Sequence, residues 1–159
     1  MTLMEISQKG ISLIKEFEGC KLVAYKCPAG VWTIGIGSTK GVKRGMTITM
    51  AQAEQRLKDD IKPIEQFLNR MGINYTQKQF DALVSFIFNL GIGAFDNSTL
   101  RKKIIAHAND EEICDQIVRW YNAGGKPLLG LKKRRVAEAN MFYGEDKYYI
   151  NSAGNIRKK

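Results

Sequence analysis

Residues 18–37 constrain the fold more than any other part of this chain. Two β-favouring runs, residues 22–25 and 31–36, flank the tight-turn sequence at residues 28–30. Turn residues between β-favouring runs are typical of an antiparallel hairpin. We therefore predict a small N-terminal β-hairpin, with a third short strand near residues 46–47.

A carboxylate lies directly before this hairpin. Apolar residues at helical spacing predict a first helix that ends near Glu18 and Gly19. The hairpin then presents Cys27 at its mouth and Thr33 on its wall. We expect these two side chains to face Glu18 across a cleft. A glutamate beside an apolar hairpin can act as a general acid, because desolvation raises the pKa of a carboxyl group.

The rest of the chain has a helical pattern. Capping boxes begin helices at Thr49 and Thr76, and Pro63 is expected to bend or interrupt the first of these. Further helices are predicted from Ser98, from residues 109–110 up to the glycines at 124–125, and over residues 131–142. The polar residues 145–159 are expected to form a loosely held tail.

These elements predict a mainly helical α+β fold in a single domain, residues 1–159. We expect a small catalytic lobe with the start of a connecting helix at about residues 1–60, and a helical lobe at about residues 61–144. At 159 residues, the chain is long enough to bury a real core.

Composition narrows the classes of function without choosing one. The net charge of +9 suits a polyanion, which includes nucleic acid, anionic lipid and the bacterial envelope. No run of about 18 apolar residues is present, so we predict no transmembrane segment. The N-terminus lacks the apolar core of a signal peptide. Three cysteines are too few for a disulfide framework, and one histidine argues against a histidine-based metal site.

The spacing of Glu18, Cys27 and Thr33 carries a family resemblance. It matches the Glu-x8-Asp/Cys-x5-Thr pattern of the phage-type lysozymes, the endolysins of glycoside hydrolase family 24. The following residues, Thr33 to Gly37, resemble the Thr-Ile-Gly-x-Gly motif of these enzymes. The resemblance implies a lysozyme-like fold and hydrolysis of the β-1,4 bond between N-acetylmuramic acid and N-acetylglucosamine in peptidoglycan. It also implies that no cofactor is needed.

The resemblance assigns a role to each of the three residues. Glu18 is the general acid, and Thr33 helps to hold a water on the far side of the sugar, which implies inversion of the anomeric configuration. Cys27 departs from the commoner aspartate. A thiol is neutral near pH 7 unless its pKa is lowered. Cys27 is therefore open to three roles, as a base, a nucleophile or a water-positioning group, and the alternative is a small buried hydrophobe.

A second set of motifs follows. Residues 82–100 resemble a family segment in which four matching residues line the sugar cleft, and Gly37 of the first motif is also expected at the substrate. The four are Phe88, Asn89, Phe95 and Ser98. From pattern alone, the two phenylalanines are core residues, and Arg134 and Arg135 are a solvated helix face. Residues 130–138 also resemble a C-terminal motif of the family, which implies that this basic helix start approaches the acid. Ser38 stands where many family members have histidine.

Cys20 and Cys27 resemble a pair found in redox-controlled endolysins. In those enzymes, a disulfide that involves the active-site cysteine holds the protein inactive, usually with help from a further cysteine in an N-terminal membrane-release segment. This sequence shows no such segment, so the redox pair is a hypothesis. Cys114 falls within a helical pattern and is expected in the core.

The resemblance also implies the setting. We expect a monomer that is made in the host cytoplasm, acts on peptidoglycan in the periplasm and depends on a holin or another export partner. Two rivals remain. One is a wall-binding module that kept the cleft but lost the chemistry, which the Cys27 substitution permits. The other is a nucleic-acid-binding protein, which is disfavoured because most aromatic residues lie on apolar helical faces and not among basic ones.

Overall fold

The computed structural model of the chain describes residues 2–159. Over these residues, seven helices and three two-stranded antiparallel sheets form. In chain order they are α1 Gln8–Glu18, β1 Lys21–Lys26, β2 Trp32–Gly35, α2 Met50–Arg70, α3 Gln77–Leu90, α4 Ile92–Asp96, α5 Thr99–Ile105, α6 Asp110–Ile117, β3 Asn122–Ala123, β4 Lys126–Pro127, α7 Leu129–Tyr143, β5 Tyr148–Ile150 and β6 Ile156–Lys158. The predicted mainly helical α+β class is confirmed.

The chain divides into two compact units. The small unit is residues 8–63, and the helical unit combines the segment before Gln8 with residues 64–159. The border falls inside α2, between Pro63 and Ile64, a few residues beyond the predicted lobe boundary. Pro63 does not interrupt α2, which is helical from Met50 to Arg70. No helix within residues 2–159 combines the length and the apolar character needed to cross a membrane.

The small unit is built around the predicted hairpin. β1 pairs with β2, and in place of the predicted third strand there is a single isolated bridge between Val23 and Thr47. Two backbone hydrogen bonds of 2.9 Å flank that bridge, from Ala24 to Met46 and from Ile48 to Leu22. The core behind the hairpin is aliphatic, with members from α1, β2 and α2: Ile11, Ile14, Ile34, Ile36, Ala53, Leu57 and Ile61.

The helical unit is centred on α3, which packs mainly against α7. Every residue from Phe80 to Ile87 is buried. The predicted capping box begins this helix: the Gln79 backbone N–H donates to Thr76 Oγ1 at 3.1 Å, and the Thr76 N–H donates to Gln79 Oε1 at 2.9 Å. The predicted caps at Ser98 and Asn109 are also present. The sequence could predict these helix caps because each capping side chain and the amides that it bonds lie within one helical turn.

The N-terminal segment belongs to the helical unit, which the sequence did not predict. The Met4 amide donates to Asn69 Oδ1 at 2.9 Å, and the Ile6 amide donates to Glu65 Oε2 at 2.7 Å. Ser7 adds a backbone and a side-chain hydrogen bond to Asp81. Side chains of α2 and α3 therefore satisfy the segment's backbone amides, in place of a regular β ladder.

Two predictions for the C-terminal third are wrong. Residues 145–159 are not a loose tail, because β5 and β6 form a hairpin whose Tyr148 is only 3% exposed. The glycines at 124 and 125 do not end a helix either, since α6 already ends at Ile117. Both have positive φ and form the turn between β3 and β4. Positive φ is a conformation that glycine adopts at little cost, at a helix end and in a hairpin turn alike, so the sequence signal was ambiguous.

Candidate active site

Glu18 is the last residue of α1, and its side chain is half-buried. Gly19 ends the helix in the left-handed region, at φ 74°, and its N–H donates to the Lys15 carbonyl oxygen at 2.9 Å. A side chain at this φ would be strained, so glycine permits the sharp exit toward β1. Ile11 and Ile14 anchor the same helix in the core of the small unit. The helix end that carries Glu18 is therefore anchored by packing.

Cys27 lies in the turn that joins β1 and β2. Its backbone N–H donates to the Val31 carbonyl oxygen at 3.0 Å, and its own carbonyl accepts from Gly30 at 2.8 Å. Gly30 has φ 80°, which closes the turn without steric cost. Cys27 is half-buried, as the sequence-based position at the mouth of the hairpin requires.

Thr33 lies on β2, opposite Tyr25 of β1. Its side chain is only 4% exposed, and Thr33 Oγ1 donates to the Val31 carbonyl oxygen at 2.9 Å. In this geometry the hydroxyl therefore donates within the hairpin. The two lone pairs of the oxygen remain able to accept a hydrogen bond from a water.

The surroundings of Cys27 lower the pKa of its thiol below the ordinary value of 9.0. The main cause is a hydrogen bond from the Val31 backbone amide, with smaller contributions from the Ala29 amide and the Thr33 side chain. Burial acts in the opposite direction. Hydrogen bonds to the charged form stabilise a thiolate, which is both a better base and a better nucleophile than the thiol. Thr33 thus contributes to stabilising the ionised form of Cys27.

Cys20 and Cys27 are both free thiols. Cys20 lies just before β1 and Cys27 just after it, and the Cys20 thiol contacts Met50 Sδ at 3.7 Å. An extended strand of six residues spans roughly 20 Å, whereas the Cα atoms of a disulfide lie within about 7 Å. A bond between these two cysteines would therefore require β1 to unfold. Cys114 is buried in the helical unit, as predicted.

Gly37 is exposed in the turn after β2. Paired hydrogen bonds of 2.9 and 3.0 Å between Ile34 and Ser38 close this turn. Ser38 is buried, and its hydroxyl accepts from Arg56 Nη1 at 3.3 Å. Burial also raises the pKa of the neighbouring Asp60 carboxyl, while a hydrogen bond from Ser38 opposes the shift. Ser38 therefore joins a polar cluster within the small unit.

The four predicted cleft residues from the second motif lie in the helical unit, and their environments differ. Phe88 and Asn89 are half-buried near the end of α3. Phe95 is fully buried and packs edge-on against Phe67 and Phe86. Ser98 is also buried, accepts from the Arg101 amide and donates to the Phe95 carbonyl. Phe88 and Asn89 are thus the accessible members, whereas the observed contacts of the other two are structural.

A buried ionic cluster on α7 was missed by the sequence pattern. Arg134, Arg135 and Glu138 are at most 3% exposed, so the arginines are not a solvated face. Arg135 Nε lies 2.8 Å from Glu138 Oε1, and Arg134 Nε lies 3.3 Å from Glu138 Oε2. Ser85 on α3 donates to the same carboxylate at 2.5 Å. The i, i+3 and i, i+4 spacing of the arginines and the glutamate was the available signal.

This cluster also fixes one of the predicted cleft residues. Arg135 Nη2 donates to Asn89 Oδ1 at 2.7 Å, and the guanidinium lies over the Phe86 ring at 5.1 Å. Burial raises the pKa of the Glu138 carboxyl, and the two guanidinium groups oppose that shift. Asn89 is therefore oriented by a buried arginine, with its amide nitrogen left as a donor.

Comparison with known proteins places this arrangement in a family. The family model described as phage lysozyme matches residues 15–138. An endolysin of Acyrthosiphon pisum secondary endosymbiont phage 1 is 43% identical over 144 residues, which cover 87% of this chain and 98% of that protein.

Two solved structures are similar along most of their length. The muramidase domain of SpmX from Asticaccaulis excentricus has a TM-score of 0.80 at 36% identity, covering 87% of this chain and 97% of that one. A P22 lysozyme mutant has a TM-score of 0.81 at 36% identity, covering 87% and 98%. The chain belongs to the phage lysozyme family.

Proposed function

We propose that this chain is an endolysin that hydrolyses the β-1,4 bond between N-acetylmuramic acid and N-acetylglucosamine in peptidoglycan, with inversion. Membership of the phage lysozyme family supports a peptidoglycan-hydrolysing enzyme. The observation that carries the mechanism is the shared attachment of Cys27 and Thr33 to Val31, in the same unit as Glu18.

Glu18 is the general acid of the proposed reaction. Its carboxyl proton passes to the glycosidic oxygen as the bond between that oxygen and the anomeric carbon breaks. The half-buried position at the end of α1 limits access of bulk water to this proton. The leaving sugar departs with a new hydroxyl group.

A water completes the reaction from the opposite face of the ring. Thr33 Oγ1 accepts one hydrogen bond from this water, because its own proton is donated within the hairpin. The Cys27 thiolate takes the other water proton, and the oxygen bonds to the anomeric carbon. A lowered thiol pKa makes Cys27 a functional replacement for the aspartate expected at this position. Phe88 and Asn89 are the proposed sugar-contacting residues of the helical unit, and Gly37 that of the small unit.

Product analysis tests this proposal. Purified walls are digested, the new reducing ends are identified, and the anomer released first is read by proton NMR. We expect N-acetylmuramic acid at the reducing end and the α anomer as the initial product. N-acetylglucosamine at the reducing end would contradict the bond assignment. An initial β anomer would contradict direct attack by water with inversion.

The proposal extends to the biological setting. We expect a monomer, made in the host cytoplasm, that reaches the wall through a holin or another export partner. Expression with and without a co-expressed holin tests the release step. Lysis that begins only after the holin is induced supports it, whereas equally rapid lysis without one contradicts it.

A further inference from the structure

A cavity of about 460 Å³ lies within the helical unit, and none of the candidate active-site residues described above lines it. Its walls come from the end of α6, the first half of α7 and the β5–β6 hairpin. The hairpin lies beyond residues 15–138, which the family model covers. The cavity is therefore partly built by a segment that the family match does not include.

The cavity is strongly cationic. Arg119, Lys132, Arg157 and Lys158 line it, together with one carboxylate, Asp115. That carboxylate is already engaged: one oxygen accepts from the Tyr148 hydroxyl at 2.7 Å, and the other lies 3.2 Å from Lys158 Nζ. The remaining cations give the cavity a positive potential, which favours an anionic ligand.

Lys132 is held in place before any ligand arrives. Its Nζ donates to the Gly154 carbonyl oxygen at 2.7 Å and lies 5.1 Å from the centre of the Tyr121 ring. An ammonium group has three donors, so two remain for a ligand. Because the side chain is already ordered, binding loses little conformational entropy at this position.

Two guanidinium groups complete the cationic wall. Arg119 and Arg157 are exposed, and neither forms a salt bridge to a carboxylate within residues 2–159. Arg157 Nη1 donates to the Ile156 carbonyl oxygen at 3.1 Å. A guanidinium fork matches the two oxygens of a carboxylate and forms strong, charge-assisted hydrogen bonds with it.

We infer that this cavity binds the free carboxylates of peptide stems on the wall polymer, as a second contact site of the enzyme. Val118 and Ile156 provide apolar surface beside the cations, which suits the small side chains next to a peptide carboxylate. A cavity of this size accommodates a short peptide. The choice of the wall as the source of the ligand rests on the proposed function, but the carboxylate preference rests on the cavity alone.

A second contact site would help the enzyme to bind its substrate, the wall. A stem peptide held in the cavity keeps the enzyme on the wall, so the local concentration of glycan at the active site rises. The cavity holds none of the reacting groups. Its loss should therefore raise KM for walls and leave kcat unchanged.

Direct binding is the first test and requires no hydrolysis. A synthetic stem tripeptide with free carboxylates, and its fully amidated counterpart, are titrated against the intact protein by calorimetry. We expect the free acid to bind and the Arg119→Ala/Arg157→Ala variant to bind it at least tenfold more weakly. The Lys78→Ala/Lys102→Ala variant removes the same charge from exposed sites elsewhere on the helical unit. Equal binding of the amide, or an equal loss in this control, would overturn the inference.

Wall kinetics identify the source of the anion. KM is compared on intact walls, on walls stripped of peptide stems by an amidase, and on walls stripped of phosphate polymers by acid extraction. The arginine variant should show a raised KM on intact and phosphate-free walls, and match the wild type on stem-free glycan. A KM difference that disappears only with the phosphate polymers would identify a phosphate ligand and overturn the stem assignment. Inactivity of every protein on all walls would refute the proposed function, while the peptide titration would still stand.

Discussion

Val31 links the two reactive side chains of the hairpin through one residue's backbone. Its carbonyl oxygen accepts from the Cys27 amide and from the Thr33 hydroxyl, and its amide supports the Cys27 thiol. A displacement of this residue would therefore disturb both groups together. The side chain of Val31 is exposed, so its role rests on the backbone and not on packing.

The lowered pKa of Cys27 predicts an unusually reactive thiol. In a Cys20→Ser/Cys114→Ala background, the rate of alkylation of Cys27 should reach half its maximum at a pH below 9, because thiolate is the reactive form. The same protein unfolded in urea loses the Val31 and Thr33 contacts and should show a higher midpoint. A folded midpoint equal to or above the unfolded one would contradict the thiolate assignment.

The buried cluster on α7 predicts a large cost for removing the Glu138 carboxylate. Glu138→Gln keeps the size of the side chain but removes the negative charge that both buried guanidinium groups contact. We expect the free energy of unfolding in urea to fall by about 3–5 kcal/mol. Glu145→Gln, an exposed change near the end of the same helix, should stay within about 0.5 kcal/mol of the wild type. Equal stability of the two variants would contradict the assigned role.

Among the secondary-structure elements, the sequence predicted those features that are formed by residues close together in the chain. The α3 capping box, the Ser98 cap and the first hairpin each use contacts within a few positions. The C-terminal hairpin was missed because its anchors are distant in sequence. Tyr148 donates to Asp115, 33 residues away, and a polar, glycine-containing segment gives no periodic signal of that pairing.

The difference between local and long-range contacts also explains which candidate site residues the sequence could suggest. Glu18, Cys27 and Thr33 could be proposed from the sequence because one hairpin carries two of them and the preceding helix the third. The burial of Phe95 and Ser98 depends on packing among α2, α3 and α5, which spacing alone does not define. Arg134 and Arg135 looked like a solvated face because charged residues are rarely fully buried unless they are paired.

Adjacent tyrosines on β5 test whether the C-terminal hairpin is an integral part of the fold. Tyr148 is 3% exposed and Tyr149 is 42% exposed. Tyr148→Ala should lower the free energy of unfolding by about 3 kcal/mol, since it removes a buried ring and its hydrogen bond to Asp115. Tyr149→Ala should cost less than about 1 kcal/mol. Similar small losses for both would restore the loose-tail interpretation.

The whole molecule carries a net charge of +9, and its proposed substrate, the bacterial wall, is an anionic polymer. Long-range attraction between them is screened as the Debye length shortens, from about 10 Å at 0.1 M salt to about 3 Å at 1 M. Wall lysis should therefore slow between these concentrations. Amidation of the wall carboxylates should remove most of that dependence. An unchanged rate on untreated walls would show that the charge has no part in substrate capture.

Glu18→Gln removes the proton donor of the proposed reaction, and turbidity clearing of purified walls measures the effect. We expect a loss of rate of about 10²–10⁴-fold with wall sedimentation unchanged, because the amide keeps the shape but cannot act as an acid. Glu16→Gln, an exposed change two residues earlier on α1, should clear walls like the wild type. Clearing by Glu18→Gln at the wild-type rate would show that Glu18 is not the proton donor.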